Sequence, residues 1–217
     1  MRICIIDGLT DKELVTHNLH RYKVENGEVK LHEQSEQKSS RISHGTVVCQ
    51  MISQYGKFDE IYLVEVLDET ESGTIENLET ALRWCLNQEI DMINLSIGSI
   101  EEDNFPVLKE LCQKLYEQGK IIIAAENNND IYSAPSIFDE VVSVKRIKLR
   151  HILIYDCKKN RIFISGKKWL RFHNESYTRT QNSNSYACAF ASCVISRKDK
   201  NRIYDSSKWR YKILWTK

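Results

Sequence analysis

Three residues have the types and the order needed for acyl transfer: Asp7, His44 and Ser185. A serine hydroxyl is a weak nucleophile until a histidine accepts its proton, and a carboxylate fixes that histidine's tautomer. The negative charge that then builds on the attacked carbonyl needs preorganised donors. Asp7 ends the apolar run Ile3-Cys4-Ile5-Ile6, and His44 lies in Ser43-His44-Gly45-Thr46. Asn127 follows Ile122-Ile123-Ala124-Ala125-Glu126, and Ser185 opens Ser185-Tyr186-Ala187-Cys188-Ala189. Taken singly, each also has a structural reading. Asp7 could cap a loop, His44 could merely start a helix, Ser185 could be a helix N-cap, and Asn127, in Asn127-Asn128-Asn129-Asp130, could be a turn residue.

Residues so far apart in the chain meet where the carboxyl ends of parallel strands converge. The apolar pattern predicts strands over 2–6, 60–66, 91–97, 120–125 and 141–144. Helices are predicted over 44–52 and over 74–86, where Ile75, Leu78, Leu82, Cys85 and Leu86 recur at helical spacing. A third helix carries Leu108, Leu111 and Leu115, with Asn104 as its cap and Gly119 at its end. This succession predicts an α/β fold, a parallel sheet with helices on both faces. Past Lys145 the pattern changes: 151–155 and 161–165 read as a strand pair around a polar turn, and 185–195 as a short apolar helix. The chain reads as a single domain over 1–217, with 196–217 an atypical C-terminal segment.

These motifs resemble, in order, those of the subtilase family of serine peptidases. His44-Gly45-Thr46-Val47-Val48-Cys49-Gln50 is similar to the family's His-Gly-Thr-His-Val-Ala-Gly. Met92-Ile93-Asn94-Leu95-Ser96-Ile97-Gly98 resembles its Ile-Asn-Met-Ser-Leu-Gly strand, and Ile122-Ile123-Ala124-Ala125-Glu126-Asn127 its Val-Ala-Ala-Ala-Gly-Asn block. Tyr132-Ser133-Ala134-Pro135 and Val141-Val142-Ser143-Val144 resemble the segment after it. The resemblance spans residues 1 to about 195 and implies a subtilisin-like three-layer α/β fold with a shortened C-terminal part. It implies a serine endopeptidase with Asp7, His44 and Ser185 as triad and Asn127 in the oxyanion hole. It also implies a substrate strand along Ser96, Ile97 and Gly98, with Ala124, Ala125 and Glu126 bordering the pocket. The chain departs from the family at several points. Gly8-Leu9 follows the aspartate where the family has Ser/Thr-Gly, Ser183-Asn184 replaces Gly-Thr before the serine, Ala189 replaces a proline, and Glu126 replaces a glycine.

Glu126 therefore has two readings. Its carboxylate turns outward, or it faces the cleft with Asp130 and favours substrates with Arg or Lys before the cut.

Composition narrows the alternatives. Charged residues are 28%, hydrophobic residues 41% and the formal net charge is +1, which suits a soluble globular protein without nucleic acid or membrane as partner. The first apolar run is too short for a signal peptide or a membrane span. Seven cysteines form no Cys-x-x-Cys pair and read as free thiols, hence a reducing, cytoplasmic compartment. His17 and His20 could pair on a metal, but a surface position suits their polar stretch better. No phosphate-binding loop follows a strand, and no cofactor is expected. The expected partner is a peptide or protein substrate, cut selectively in processing a small peptide or precursor, with a partner protein that could complete the cleft. Two rivals remain open: a catalytically inactive subtilase-like module that holds peptides, and a non-peptidase hydrolase with the same triad.

Overall fold

A computed structural model describes residues 1–10, 18–32, 43–68, 72–147, 153–156, 159–164 and 183–197. Nine strands form one sheet: β1 (Arg2–Asp7), β2 (Leu19–Glu25), β3 (Glu28–Leu31), β4 (Glu60–Glu65), β5 (Met92–Leu95), β6 (Ile121–Ala125), β7 (Val141–Arg146), β8 (Leu153–Asp156) and β9 (Arg161–Ile164). Their order is β3-β2-β4-β1-β5-β6-β7-β9-β8. The central strands pair in parallel. β1, β5 and β6 are apolar along most of their length because both faces of a covered parallel sheet are buried.

Among the described residues four helices cover the faces: α1 (His44–Tyr55), α2 (Ile75–Leu86), α3 (Phe105–Glu117) and α4 (Asn184–Ser196). α1 and α4 share one apolar core with Ile3, Ile5, Leu63 and Ile123. α2 and α3 share the other with Cys4, Ile6, Val64 and Ile122. The alternation follows from the two-residue period of a strand, and the result is a three-layer α/β fold with helices on both faces of the sheet. The chain passes from β4 across β1 to β5, so the strand order reverses at β1. The crevice beyond the carboxyl ends of β1 and β5 is thus where an open sheet binds ligands.

The parallel sheet expected from the sequence is present, extended at its two edges by antiparallel hairpins, β2–β3 and the expected strand pair β8–β9. The first turns on Asn26-Gly27, both at positive φ (53° and 76°), the backbone of a two-residue hairpin loop. Asn104 does not cap α3 with its side chain. Its amide donates to Ser99 Oγ and Glu101 Oε2, and a short 3₁₀ turn (Glu102–Asn104) leads into the helix at Phe105-Pro106. Gly119 ends α3 with φ +77° as expected. His17, Cys157, Trp169, Trp209, Trp215 and nearly all of segment 196–217 lie outside the described residues.

Candidate active site

β1 delivers Asp7 to the carboxyl edge of the sheet fully buried. One carboxylate oxygen, Oδ1, accepts the Gly8 N–H (2.6 Å) and the His44 Nδ1–H (2.8 Å). A carboxylate only accepts, so the proton of a neutral His44 sits on Nδ1 and Nε2 is left as a base. The other oxygen, Oδ2, is buried without a hydrogen-bond partner.

The start of α1 explains why His44 can reach Asp7. Ser43 is the N-cap, accepting from the Thr46 N–H, and its hydroxyl also meets Thr46 Oγ1 at 2.6 Å. Gly45 lies against the loop that follows Asp7. A Cβ there would stand 2.5 Å from the Gly8 carbonyl oxygen and 2.7 Å from that of Leu9. Both contacts are with backbone, so the helix or the loop would have to move. Gly45→Ala is expected to lower the unfolding free energy by roughly 1–3 kcal/mol and to lengthen the His44–Asp7 bond. A denaturant melt reads the first effect. Loss or upfield movement of the His44 Nδ1 proton resonance reads the second.

Next to Asp7 in register, on β4, is the buried Glu65. It accepts from Arg21 at 2.8 Å and from the N–H and hydroxyl of Thr10 at 3.2 and 3.3 Å. Arg21 neutralises this second carboxylate, and both groups hold Thr10, hence the loop on which Gly45 rests.

Ser185 is the second residue of α4. Ser183 caps the helix by accepting the Tyr186 N–H at 3.2 Å. The Asn184 N–H goes to Asn128 Oδ1 at 2.9 Å. The Ser185 N–H is one of the first donors of the helix, which have no partner within the helix itself, and no described residue accepts from it; it lies at the positive end of the helix dipole. The Ser185 hydroxyl donates to the Ser96 carbonyl at 3.1 Å, just past β5. Since Ile6 pairs with Leu95, Asp7 and Ser96 are the next residues along their two chains, at the same edge of the sheet. Asn94 ties β5 to α4 by donating to Ser192 Oγ (2.9 Å) and Cys188 Sγ (3.2 Å). The thiols nearest the site do not compete with Ser185 as nucleophiles. Burial pushes Cys49 and Cys188 up and keeps them protonated, and for Cys49 the charges of Asp7 and Glu65 add to the effect.

Asn127 follows β6. Its Oδ1 accepts the Asn129 N–H at 2.8 Å, an Asx turn. Its Nδ2 makes no hydrogen bond among the described residues. Asn127 is thus the turn residue that its neighbours suggested, with an amide donor that no described residue uses.

The remaining expected site residues differ in what they present. Ser96 offers its carbonyl, now occupied by Ser185. Gly98 is packed against Ala134, whose carbonyl oxygen would be 2.3 Å from a Cβ, and Ser99 pairs with Ala134 through two 2.8 Å bonds. Ile97 packs on the α2–α3 core. Ala125 belongs to the α1–α4 side of the sheet and Ala124 to the opposite core, fully buried. Only the backbone of Ala124 can therefore meet a ligand. The Glu126 carboxylate is neither turned to solvent nor open to a substrate. It is held by both Nε and Nη2 of Arg161 and accepts from Ser143 Oγ at 3.3 Å. Asp130 pairs with Lys145 at 2.5 Å. With both carboxylates already neutralised, the argument for a basic residue before the cut falls away. Arg161, on β9, was not legible as a site neighbour, and neither was Asn184.

Among the described residues no His/Cys/Asp/Glu group could hold a metal ion, and no helix is long and apolar enough to cross a membrane.

The sequence matches the model of the subtilase family (peptidase S8) over residues 2–217. It is 30% identical over 88 residues to the minor extracellular protease Epr of Bacillus subtilis (strain 168), a match covering 39% of this chain and 13% of that protein. It is 26% identical over 112 residues to subtilisin DY of Bacillus licheniformis, covering 49% and 37% respectively. The chain thus spans well under half the length of these curated relatives. Among solved structures it resembles the prenylagaramide maturation protease PagA, with TM-score 0.60 and 19% identity over 90% of this chain and 74% of that one. It also resembles the psychrophilic subtilisin-like protease Apa1 from the Antarctic psychrotroph Pseudoalteromonas sp. AS-11, with TM-score 0.50 and 21% identity over 68% and 36%.

Proposed function

Because the chain belongs to the subtilase family, we propose that it is a serine endopeptidase that cuts peptide bonds through an acyl-enzyme on Ser185. The observation that carries this reading is the 2.8 Å bond from His44 Nδ1 to the fully buried Asp7. It gives His44 the tautomer of a general base, at the sheet edge to which Ser96 also holds the Ser185 hydroxyl. In the proposed reaction the hydroxyl leaves the Ser96 carbonyl, gives its proton to His44 Nε2 and attacks the substrate carbonyl. The Ser185 N–H and Asn127 Nδ2 receive the oxyanion. Asp7 stabilises the imidazolium, which returns the proton to the leaving amine. Water then repeats the sequence on the acyl-enzyme.

The substrate class we propose is a small peptide or precursor processed selectively in a reducing, cytoplasmic compartment. Six free, buried cysteines support the compartment, and a protease working among a cell's own proteins must discriminate. A fluorophosphonate probe tests the chemistry, since only an activated serine reacts. The expected result is labelling of the folded protein at Ser185, located by peptide mass mapping, and none in Ser185→Ala. A folded wild type that stays unlabelled would instead be a peptide-binding module.

A further inference from the structure

We infer that Asn184 is a positioning residue that fixes the oxyanion donor Asn127 relative to the nucleophile Ser185. The inference rests on the peptidase reading and adds a role to a residue that precedes the serine where the family motif has threonine.

Asn184 is nearly fully buried (6% exposed), and its hydrogen bonds run to two segments, 126–128 and the end of β7. Its Nδ2 donates to the carbonyls of Glu126 (3.0 Å) and Asn127 (3.2 Å), just past β6. Its Oδ1 accepts the Arg146 N–H at the end of β7 (2.7 Å). Its own N–H donates to Asn128 Oδ1 (2.9 Å). A threonine has one hydroxyl and could not make the three side-chain bonds together. Asn184 is covalently joined to Ser185, so the two groups that must meet one oxyanion are tied through one rigid side chain.

The tie is also placed where the Asn127 loop needs it. That loop follows a strand, carries exposed residues at Asn128, Asn129 and Asp130, and puts Asp130 at φ +59°. The Asx turn orients the Asn127 side chain on its own backbone. Among the described residues, only the Asn184 hydrogen bonds connect that backbone to α4. Without them Asn127 keeps its local turn and loses its fixed distance from Ser185. The Glu126–Arg161 pair clamps the loop from β9, so the segment stays folded when Asn184 is changed.

The test is a double-mutant cycle on the full chain with a quenched fluorogenic peptide that the wild type cleaves. The variants are Asn184→Ala, Asn127→Ala and both together, with Asn184→Thr as the milder form, whose hydroxyl keeps one of the donors and restores the residue of the family motif. Asn184→Ala is expected to lower kcat by about 10–10²-fold, the scale of a displacement near 1 Å, with KM within about twofold. In the Asn127→Ala background the same change is expected to cost less than about twofold, because the group that it positions is gone. Asn184→Thr should fall between wild type and Asn184→Ala. Equal losses in both backgrounds, a change confined to KM, or failure of both Asn184 variants to fold would overturn the positioning role alone. A folded wild type that neither cleaves peptides nor takes the fluorophosphonate label would overturn the peptidase reading on which it rests.

Discussion

Ser185→Ala is expected to lower kcat by about 10⁶-fold, His44→Ala by about as much, and the two together by no more than either. The three groups act as one unit. Without the hydroxyl there is nothing for His44 to deprotonate, and without Nε2 the hydroxyl keeps its proton, held by the Ser96 carbonyl. Asp7→Asn is expected to cost about 10⁴-fold. An amide at that position can turn its NH₂ toward His44 and favour the tautomer with the proton on Nε2, which is useless as a base. KM should change little throughout, since none of these side chains is assigned to ground-state binding. Steady-state kinetics on a quenched peptide reads all four variants, with circular dichroism as the check on folding. Independent, multiplicative losses for Ser185 and His44 would be incompatible with a triad.

Asn127→Ala is expected to reduce turnover by roughly 10²–10³-fold, the value of one oxyanion-hole donor. The Asx turn complicates its reading, because alanine also removes the acceptor for the Asn129 N–H, and a lost hydrogen bond of that kind costs about 1 kcal/mol of stability. Asn127→Asp separates the two effects. It keeps the oxygen that closes the turn, removes the amide donor and puts a negative charge where the oxyanion must form. Turnover should therefore fall at least as far as in alanine, while the unfolding midpoint stays near that of the wild type. Full activity in the aspartate variant would mean that Nδ2 does not face the reacting carbonyl.

Much of the framework was legible because it depends on local pattern. An apolar run ending in Asp7 reads as a central strand with a carboxylate at its edge, and β1 is that strand. Ser43-His44-Gly45-Thr46 contains a cap, a base and a glycine in sequence, and only the identity of what Gly45 approaches needed coordinates. The β2–β3 hairpin was missed although Asn26-Gly27 is a strong turn signal. Its strands are half exposed and rich in charge, so they lack the apolar alternation that marks a strand. Glu126 was read as a lone carboxylate near the cleft because its partner Arg161 is 35 residues away, on a strand whose pairing only the sheet reveals. Asn184 counted as a mere departure from a motif. Its hydrogen bonds cross between β6, β7 and α4, and no spacing in the chain announces them.

The burial of α4 bears on how the enzyme can fail. Every residue of that helix except Phe190 is buried, and it packs on α1 and on β5, β6, β7 and β9. Functional groups are usually carried on segments that open at little free-energy cost, so such enzymes fade locally before they melt. Here the nucleophile sits in the part of the molecule whose amide protons can exchange only when the core itself opens. Loss of Ser185 geometry and loss of the native state are then a single cooperative event. Partial inactivation at sub-denaturing temperature has to begin elsewhere, and the turn after Asn127, exposed at Asn128, Asn129 and Asp130, is a place for it.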